Sequence, residues 1–386
     1  MSHRISRRLG AAAALAALAL TTAACGPDDP PKTGDAASAA PSAAASVSAS
    51  ASAAGKPGLN LPSSLQALKN WKPADWANWA KQHPLKNDIV KDLWTVDSMN
   101  KATPAEAMKP SAKMGTDDSQ NDPLPGAVQA VGEKHPYTNN MAVFGKLFMK
   151  SPQGTYVCSG TVVSDPQHPG KSNLVWTASH CLHGGKGGDW LKNIAFIPSY
   201  NRSGAASNGK QPTLQQVAPY GRWWADYALV APQWVEEGGE TGGPVSQYDS
   251  GIIQVSNPDM PGKSLEETVG GSVPVWFNAP RDKITALTAY GFPAAPPFNG
   301  QELEYCDGGR PSRLSFDDTR PTMLTIGCTM TGGSSGGGWL APGPDGKAAL
   351  VSNTSIGPNP SAWLAGPELD DQAQSMFQEM TQLPQP

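Results

Sequence analysis

Apolar positions along this chain fall into three textures. Leu9 to Leu20 is one short, nearly unbroken apolar run. From Leu59 to about Pro125 apolar residues recur loosely at helical spacing, with Leu65, Leu68, Trp71, Trp76, Trp79 and Leu85 as the repeating positions. Thr103-Pro104-Ala105-Glu106 offers a helix start with proline in the first turn. This middle texture predicts one or two short helices packed on a main domain. Aromatic residues at helical spacing are core before they are ligand sites, so its tryptophans are expected inside. Asp117, Asp118, Asn121, Asp122, Pro123, Pro125 and Gly126 then mark a loop.

Beyond about Gly126 the apolar residues form short runs cut by Gly and Pro. Ala142–Phe148, Gly154–Val163, Asn173–Ala178, Ile194–Ile197, Asp226–Val230, Ile252–Val255, Val273–Trp276 and Ile284–Gly291 all read as strands, as do the runs flanking Ser335. Many short strands with such turns predict an all-β barrel or sandwich. Glu368 to Met380 is amphipathic and predicts a C-terminal helix.

The first texture is a targeting signal. Arg4, Arg7 and Arg8 precede an apolar run too short to span a bilayer, and Thr21-Thr22-Ala23-Ala24 leads into Cys25. Small residues before a cysteine resemble the lipobox of bacterial lipoproteins, although Thr22 stands where an aliphatic residue is usual. The resemblance implies a diacylated Cys25 as mature N-terminus and a membrane partner through that anchor. The rival is ordinary secretion. Either way the protein is exported. Residues 1–24 are thus a signal peptide and 25–57 an Ala/Ser/Pro-rich tether that cannot bury enough apolar surface to order itself. Residues 58–125 are a partly helical extension, open also to reading as a removable pro-segment, and 126–386 are the main domain.

Charge removes one class of partner. The net charge is −4 with no basic block, so nucleic acid is not expected. Cysteine count supports the lipid reading: of five, Cys25 would carry lipid and leave four to pair. Three connectivities are open, and the local pairs Cys158–Cys181 and Cys306–Cys328 are favoured. The spacings are not those of a zinc site, and no metal or cofactor is implied.

The chemistry gathers at Thr331-Gly332-Gly333-Ser334-Ser335-Gly336-Gly337-Gly338-Trp339. A glycine-rich turn exposes a serine hydroxyl and aims backbone N–H groups at one point, which is what a nucleophile and its oxyanion need. The apolar runs on both sides fit a turn inside a folded domain better than a flexible linker. Gly333-Ser334-Ser335-Gly336-Gly337 also satisfies G-x-S-x-G, but that architecture requires a histidine after the serine, and the last histidine is His183. Partners must lie upstream. Val175-Trp176-Thr177-Ala178-Ser179-His180-Cys181 ends an apolar strand on a histidine, and Asp226-Tyr227-Ala228-Leu229-Val230 heads another with a carboxylate. Histidine suits the base because its pKa lies near working pH, and a buried carboxylate fixes its tautomer.

With Cys158-Ser159-Gly160-Thr161-Val162-Val163, these blocks resemble the trypsin/chymotrypsin-like serine peptidases, in their bacterial secreted, glutamyl-endopeptidase-like branch. The resemblance spans roughly Ala142 to the C-terminus. It implies two antiparallel six-stranded β-barrels with the active site between them, and a protein or peptide substrate cleaved through an acyl-enzyme. By resemblance His180 is the base, Asp226 its orienting acid and Ser335 the nucleophile. The N–H groups of Gly333 and Ser335 form the oxyanion hole, and Cys158–Cys181 braces the histidine loop. Thr329, Met330, Ser352, Asn353 and Thr354 lie about the substrate pocket, whose lack of an acid points to a small or apolar side chain. Ser334 replaces the aspartate through which animal members are activated, so no such step is expected. Gly338 stands where proline is common. The segments Ser203–Gln211 and Glu236–Tyr248 read as insertions. The alternative function is a catalytically silent surface lipoprotein on the same fold.

Overall fold

The computed structural model describes residues 65–105, 120–209, 211–239 and 242–386. The signal, the tether and Cys25 lie outside the described residues. Ahead of the first long strand come α1 (Pro73–Gln82), α2 (Val96–Lys101) and the two-residue strands β1 (Thr103–Pro104) and β2 (Val131–Gly132). Next are β3 (Phe144–Ser151), β4 (Gly154–Val163), β5 (Leu174–Thr177) and β6 (Lys192–Pro198). They lead to α3 (Leu214–Val217), β7 (Trp223–Val230), α4 (Pro232–Glu237), β8 (Gly251–Ser256) and α5 (Leu265–Val269).

β3 to β8 form one closed barrel. The strands neighbour one another in the order β4-β3-β6-β7-β8-β5, and β5 pairs back onto β4. All these pairings are antiparallel, and closure leaves no long free edge to protect. Leu147, Val175, Phe196 and Ile253 share its inner face and are fully buried. The second half carries β9 (Thr288–Gly291), β10 (Glu304–Asp307), β11 (Ser312–Leu314), β12 (Met323–Gly327), β13 (Gly338–Pro342), β14 (Ala348–Asn353) and β15 (Trp363–Pro367). These form a five-stranded sheet, β14-β13-β9-β10-β2, and a three-stranded one, β11-β12-β15. Val273–Trp276, expected as a strand, instead makes single bridges: Val273 to Val163 of β4, and Val275 to Leu350 of β14. It ties the halves together.

The extension packs on the barrel and on α6 (Asp371–Thr381), the C-terminal helix. Trp76, Trp79 and Trp94 are buried in the same core as the barrel interior. The Ser375 hydroxyl donates to the Trp71 carbonyl at 2.6 Å. Asn87 replaces a stretch of sheet: its Nδ2 donates to the carbonyls of Ile194 and Ala225, and its Oδ1 accepts from the Ile194 N–H. Thr103-Pro104 is not a helix start. It is extended and pairs in parallel with Tyr156 and Val157 of β4. Proline suits such an edge, having no N–H to place. Cys158–Cys181 and Cys306–Cys328 both form, with Cα separations of 6.2 and 5.5 Å.

Candidate active site

His180 sits in a single 3-10 turn, Ser179–Cys181, just past the end of β5. The turn is pinned by the Ser179 hydroxyl, which donates to the Ser250 carbonyl at 2.6 Å. The carboxylate that meets His180 is Asp249, not Asp226. Asp249 Oδ2 lies 2.7 Å from His180 Nδ1, and Oδ1 accepts the His180 backbone N–H at 2.9 Å. Oδ2 also accepts the Ser355 hydroxyl at 2.6 Å. Asp249 is fully buried, so these bonds replace the water it has lost. Behind it, Asn353 Nδ2 donates to the Asp249 carbonyl at 3.0 Å while its Oδ1 accepts the Trp176 indole N–H.

Sheet register explains the exchange of acids. Thr177 at the end of β5 and Val230 at the end of β7 both pair with Gly251 at the start of β8. Asp249 is therefore at the end of the barrel where His180 emerges. Asp226 lies four residues before Val230. At ~3.3 Å per residue it sits about 13 Å away along the strand. It is exposed, and its side-chain partner is Ser256. Both carboxylates precede apolar runs, but β7 and β8 run in opposite directions, so only Asp249 stands at the histidine's end of the barrel. Tyr248-Asp249-Ser250-Gly251 has the composition of a turn, which hid the residue at the end of a supposed insertion. The pairing of the β5 and β8 runs was the signal that could have found it.

Ser335 stands beside this pair, held largely by the barrel. Its carbonyl accepts the Ser159 N–H of β4 at 2.7 Å, and Cys181 Sγ lies 3.7 Å from the same oxygen. The Ser159 hydroxyl donates to the Gly333 carbonyl at 2.9 Å. Gly336 has φ +79°, and a Cβ there would lie 2.1 Å from Thr177 Oγ1. Gly338 donates its N–H to Thr161 Oγ1 at 3.1 Å, which a proline could not do. Ser334 satisfies itself within the loop, its hydroxyl donating to the Thr331 carbonyl at 2.7 Å. The N–H groups of Ser334, Gly336 and Gly337 all donate to backbone carbonyls. Among the described residues, nothing accepts from the N–H of Gly333 or of Ser335. Two unused donors therefore flank the serine. His180 Nε2 is likewise buried with no partner among the described residues.

The sequence-derived pocket residues are engaged in the frame. Thr329 Oγ1 accepts the Ala130 N–H, and Met330 is buried in the core of the second half. The Ser352 hydroxyl donates to the Pro367 carbonyl, and Thr354 Oγ1 accepts the Trp339 indole N–H. Ser355, which sequence reasoning missed, is the residue of this stretch that reaches the histidine–carboxylate pair. Ring and sulfur atoms of His180, Cys158 and Cys181 lie within 4.8 Å of one another. Both sulfurs are tied in a disulfide, so the group offers no thiolates to a metal. His183 is not part of the site. Burial holds its imidazole down to about 4, and Nδ1 accepts the Gly185 N–H.

Residues 129–229 match the family model described as lysyl endopeptidase, C-terminal domain. Among solved structures, the chain is similar to a thermostable serine protease, AL20, from an extremophilic microorganism. That likeness has 29% identity and a TM-score of 0.51, and covers 64% of this chain and all of the other. It is similar also to the protease Anisep from Arthrobacter nicotinovorans, at 30% identity and a TM-score of 0.50, covering 65% of this chain and 98% of that one. No curated protein matches the chain.

Proposed function

The chain belongs to the trypsin-like serine protease family, and on that premise we propose that it is a serine endopeptidase acting through Ser335, His180 and Asp249. The observation that carries the reading is the buried Asp249–His180 bond of 2.7 Å, which leaves the far nitrogen of the imidazole buried with no hydrogen-bond partner among the described residues. In this reading Asp249 fixes the proton on Nδ1, leaving Nε2 to take the Ser335 proton as the hydroxyl attacks the peptide carbonyl. The N–H groups of Gly333 and Ser335 receive the oxyanion. His180 then returns the proton to the leaving amine, and water hydrolyses the acyl-enzyme by the same route. Asp226 has no place in this scheme.

The match to a lysyl endopeptidase domain does not carry its preference over, because the matched residues end at 229, before every pocket residue. No carboxylate stands at Thr329 or Met330, which favours a small or apolar side chain before the scissile bond. Placement in the glutamyl-endopeptidase-like branch rests on the motif blocks alone. Export and a lipid anchor complete the proposal. With Cys158–Cys181 and Cys306–Cys328 paired, Cys25 is the one cysteine outside these two bonds, which favours its use in acylation. Among the described residues no helix is long and apolar enough to cross a membrane. A silent binding role is not favoured, since no group that the chemistry needs is missing.

Labelling with a fluorophosphonate, read by intact mass, tests the reading. A single adduct mapping to Ser335 is expected, absent from Ser335→Ala and from His180→Ala. A folded protein that takes no adduct sinks it.

A further inference from the structure

One edge of β4 runs past the nucleophile and is taken by two different segments. β3 pairs with β4 from Gly154 to Thr161 on one side, and β5 joins on the other only at Thr161–Val163. On the part that β5 leaves open, the Ser159 N–H donates to the Ser335 carbonyl at 2.7 Å. Two residues earlier the Val157 carbonyl accepts the Ala105 N–H at 3.5 Å. Alternate residues of a strand present their backbone groups to the same side, so the nucleophile loop and β1 are neighbours on one edge. Contact with the loop is direct: a Cβ built on Gly332 would lie 2.9 Å from Pro104 Cβ. Gly332 immediately precedes the free N–H of Gly333.

The side on which β1 lies is the side of the leaving group. His180 must protonate the departing amine, so the residues after the scissile bond leave Ser335 past His180. The disulfide Cys158–Cys181 lies against His180, and Val157 adjoins Cys158. An edge pairs with one strand at a time, and an extended peptide entering a protein binds such edges through its own backbone. The occupant is held by a short pairing, only Thr103 and Pro104 against Tyr156 and Val157. Beyond that ladder, Ala105 N–H to Val157 O and the Thr103 hydroxyl to Thr155 O are both 3.5 Å, longer than a well-formed bond.

We propose that Thr103–Ala105 occupies the path of the substrate residues that follow the scissile bond, so that the extension sets which substrates are cleaved by what lies beyond that bond. This rests on the peptidase reading. Acyl groups reach Ser335 unhindered, whereas a peptide continuing past the scissile bond must first displace the strand. Residues 65–105 then act as a built-in selector against long leaving groups, not as a cover over the nucleophile.

The test compares the full chain with a Pro104→Gly/Ala105→Pro variant, which removes the ring over Gly332 and the N–H given to Val157. Two substrate sets are used: coumarin-amide peptides, which end at one fused ring beyond the scissile bond, and internally quenched peptides with several residues beyond it. Fluorophosphonate labelling of Ser335 is measured in parallel. Both forms are expected to label and to cleave coumarin amides at equal rates. The variant is expected to gain about tenfold in kcat/KM on quenched peptides alone, mainly through KM. Equal gains on both sets, or none on either, would overturn the proposal. So would labelling that appears only in the variant, because the strand would then close the nucleophile itself. Failure to label in either form overturns the peptidase reading and this proposal with it.

Discussion

The two halves of the molecule build their parts of the site by different means. The first is a closed barrel, and it sets His180 and Asp249 by register: β5 and β8 pair, and the residues just beyond their paired ends meet. The second is a pair of open sheets around two smaller cores, and the Ser335 loop that it carries has no regular structure of its own. That loop borrows its shape from the barrel. Ser159, Thr161 and Thr177 fix Gly333, Ser335, Gly336 and Gly338 through hydrogen bonds or close packing. β4 is thus the common spine, carrying one cysteine of the disulfide, the two polar side chains that hold the loop, and the edge on which β1 lies. The serine carried by the half with open sheets is thus templated on the closed barrel.

The largest expected effect separates the two acids. Asp249→Asn removes the acceptor that holds the Nδ1 proton and should lower kcat/KM by about four orders of magnitude with the fold retained. Asp226→Asn, at an exposed position midway along β7, should stay within about threefold of the parent, as surface changes usually do. Steady-state kinetics on a single peptide, with circular dichroism for folding, decide the matter. A reversal of the two would mean that the register argument is wrong.

The disulfides compare the halves more gently. Their sequence separations, 23 and 22, are nearly equal. Chain entropy therefore gives each about 3 kcal/mol of stability. Replacing either pair by alanines should lower the urea midpoint by similar amounts. Activity should not follow suit. Cys158–Cys181 lies between His180 and the Ser335 carbonyl, so its loss should slow fluorophosphonate labelling about tenfold. Loss of Cys306–Cys328, in the core of the second half, should leave labelling nearly unchanged. Equal slowing in both would show that the second half positions the loop after all.

The same division explains what could be read from the chain. The Ser335 loop was legible because its signal is local: glycines at φ +100° and +79°, Gly333 and Gly336, flank Ser334 and Ser335. His180 was legible for the same reason, at the end of an apolar strand. Asp249 was not, because its identity depends on which strand pairs with which, and in which direction. Asp226-Tyr227-Ala228-Leu229-Val230 looked the stronger candidate by every local criterion, and it lost to register. Thr103-Pro104 failed in a related way. Proline in a first turn is a sound helix signal, but a vacant strand edge elsewhere in the fold outweighed it. The strands of the barrel, the C-terminal helix and both disulfides needed no such knowledge.

The smallest expected effect is on stability, with opposite signs in the two halves. In the barrel, Lys146 is buried, its ammonium donating to the Gly300 carbonyl at 2.7 Å and lying 4.3 Å from the Tyr200 ring centroid. Burial pulls its pKa down to about 7. An unfolded lysine holds its proton to about 10.4, so between those values the unfolded chain binds more protons and stability rises with pH. In the second half, burial, followed by the charge of Glu302, pushes the Glu304 carboxyl up to about 7. An unfolded glutamate ionises near 4.3, so here the folded chain binds more protons and stability falls as pH rises from there to 7. The two groups are therefore both unfavourable near neutrality and are relieved in opposite directions. Lys146→Met should flatten the rise of the thermal midpoint above pH 7 and leave the acid limb as it was. Glu304→Gln should flatten the fall between about pH 4.5 and 7 and leave the alkaline limb unchanged. Midpoints measured from pH 4 to 10 on the parent and both variants would show this. Any variant that moves both limbs would mean that the halves unfold with their titrations coupled, as one unit sharing β4.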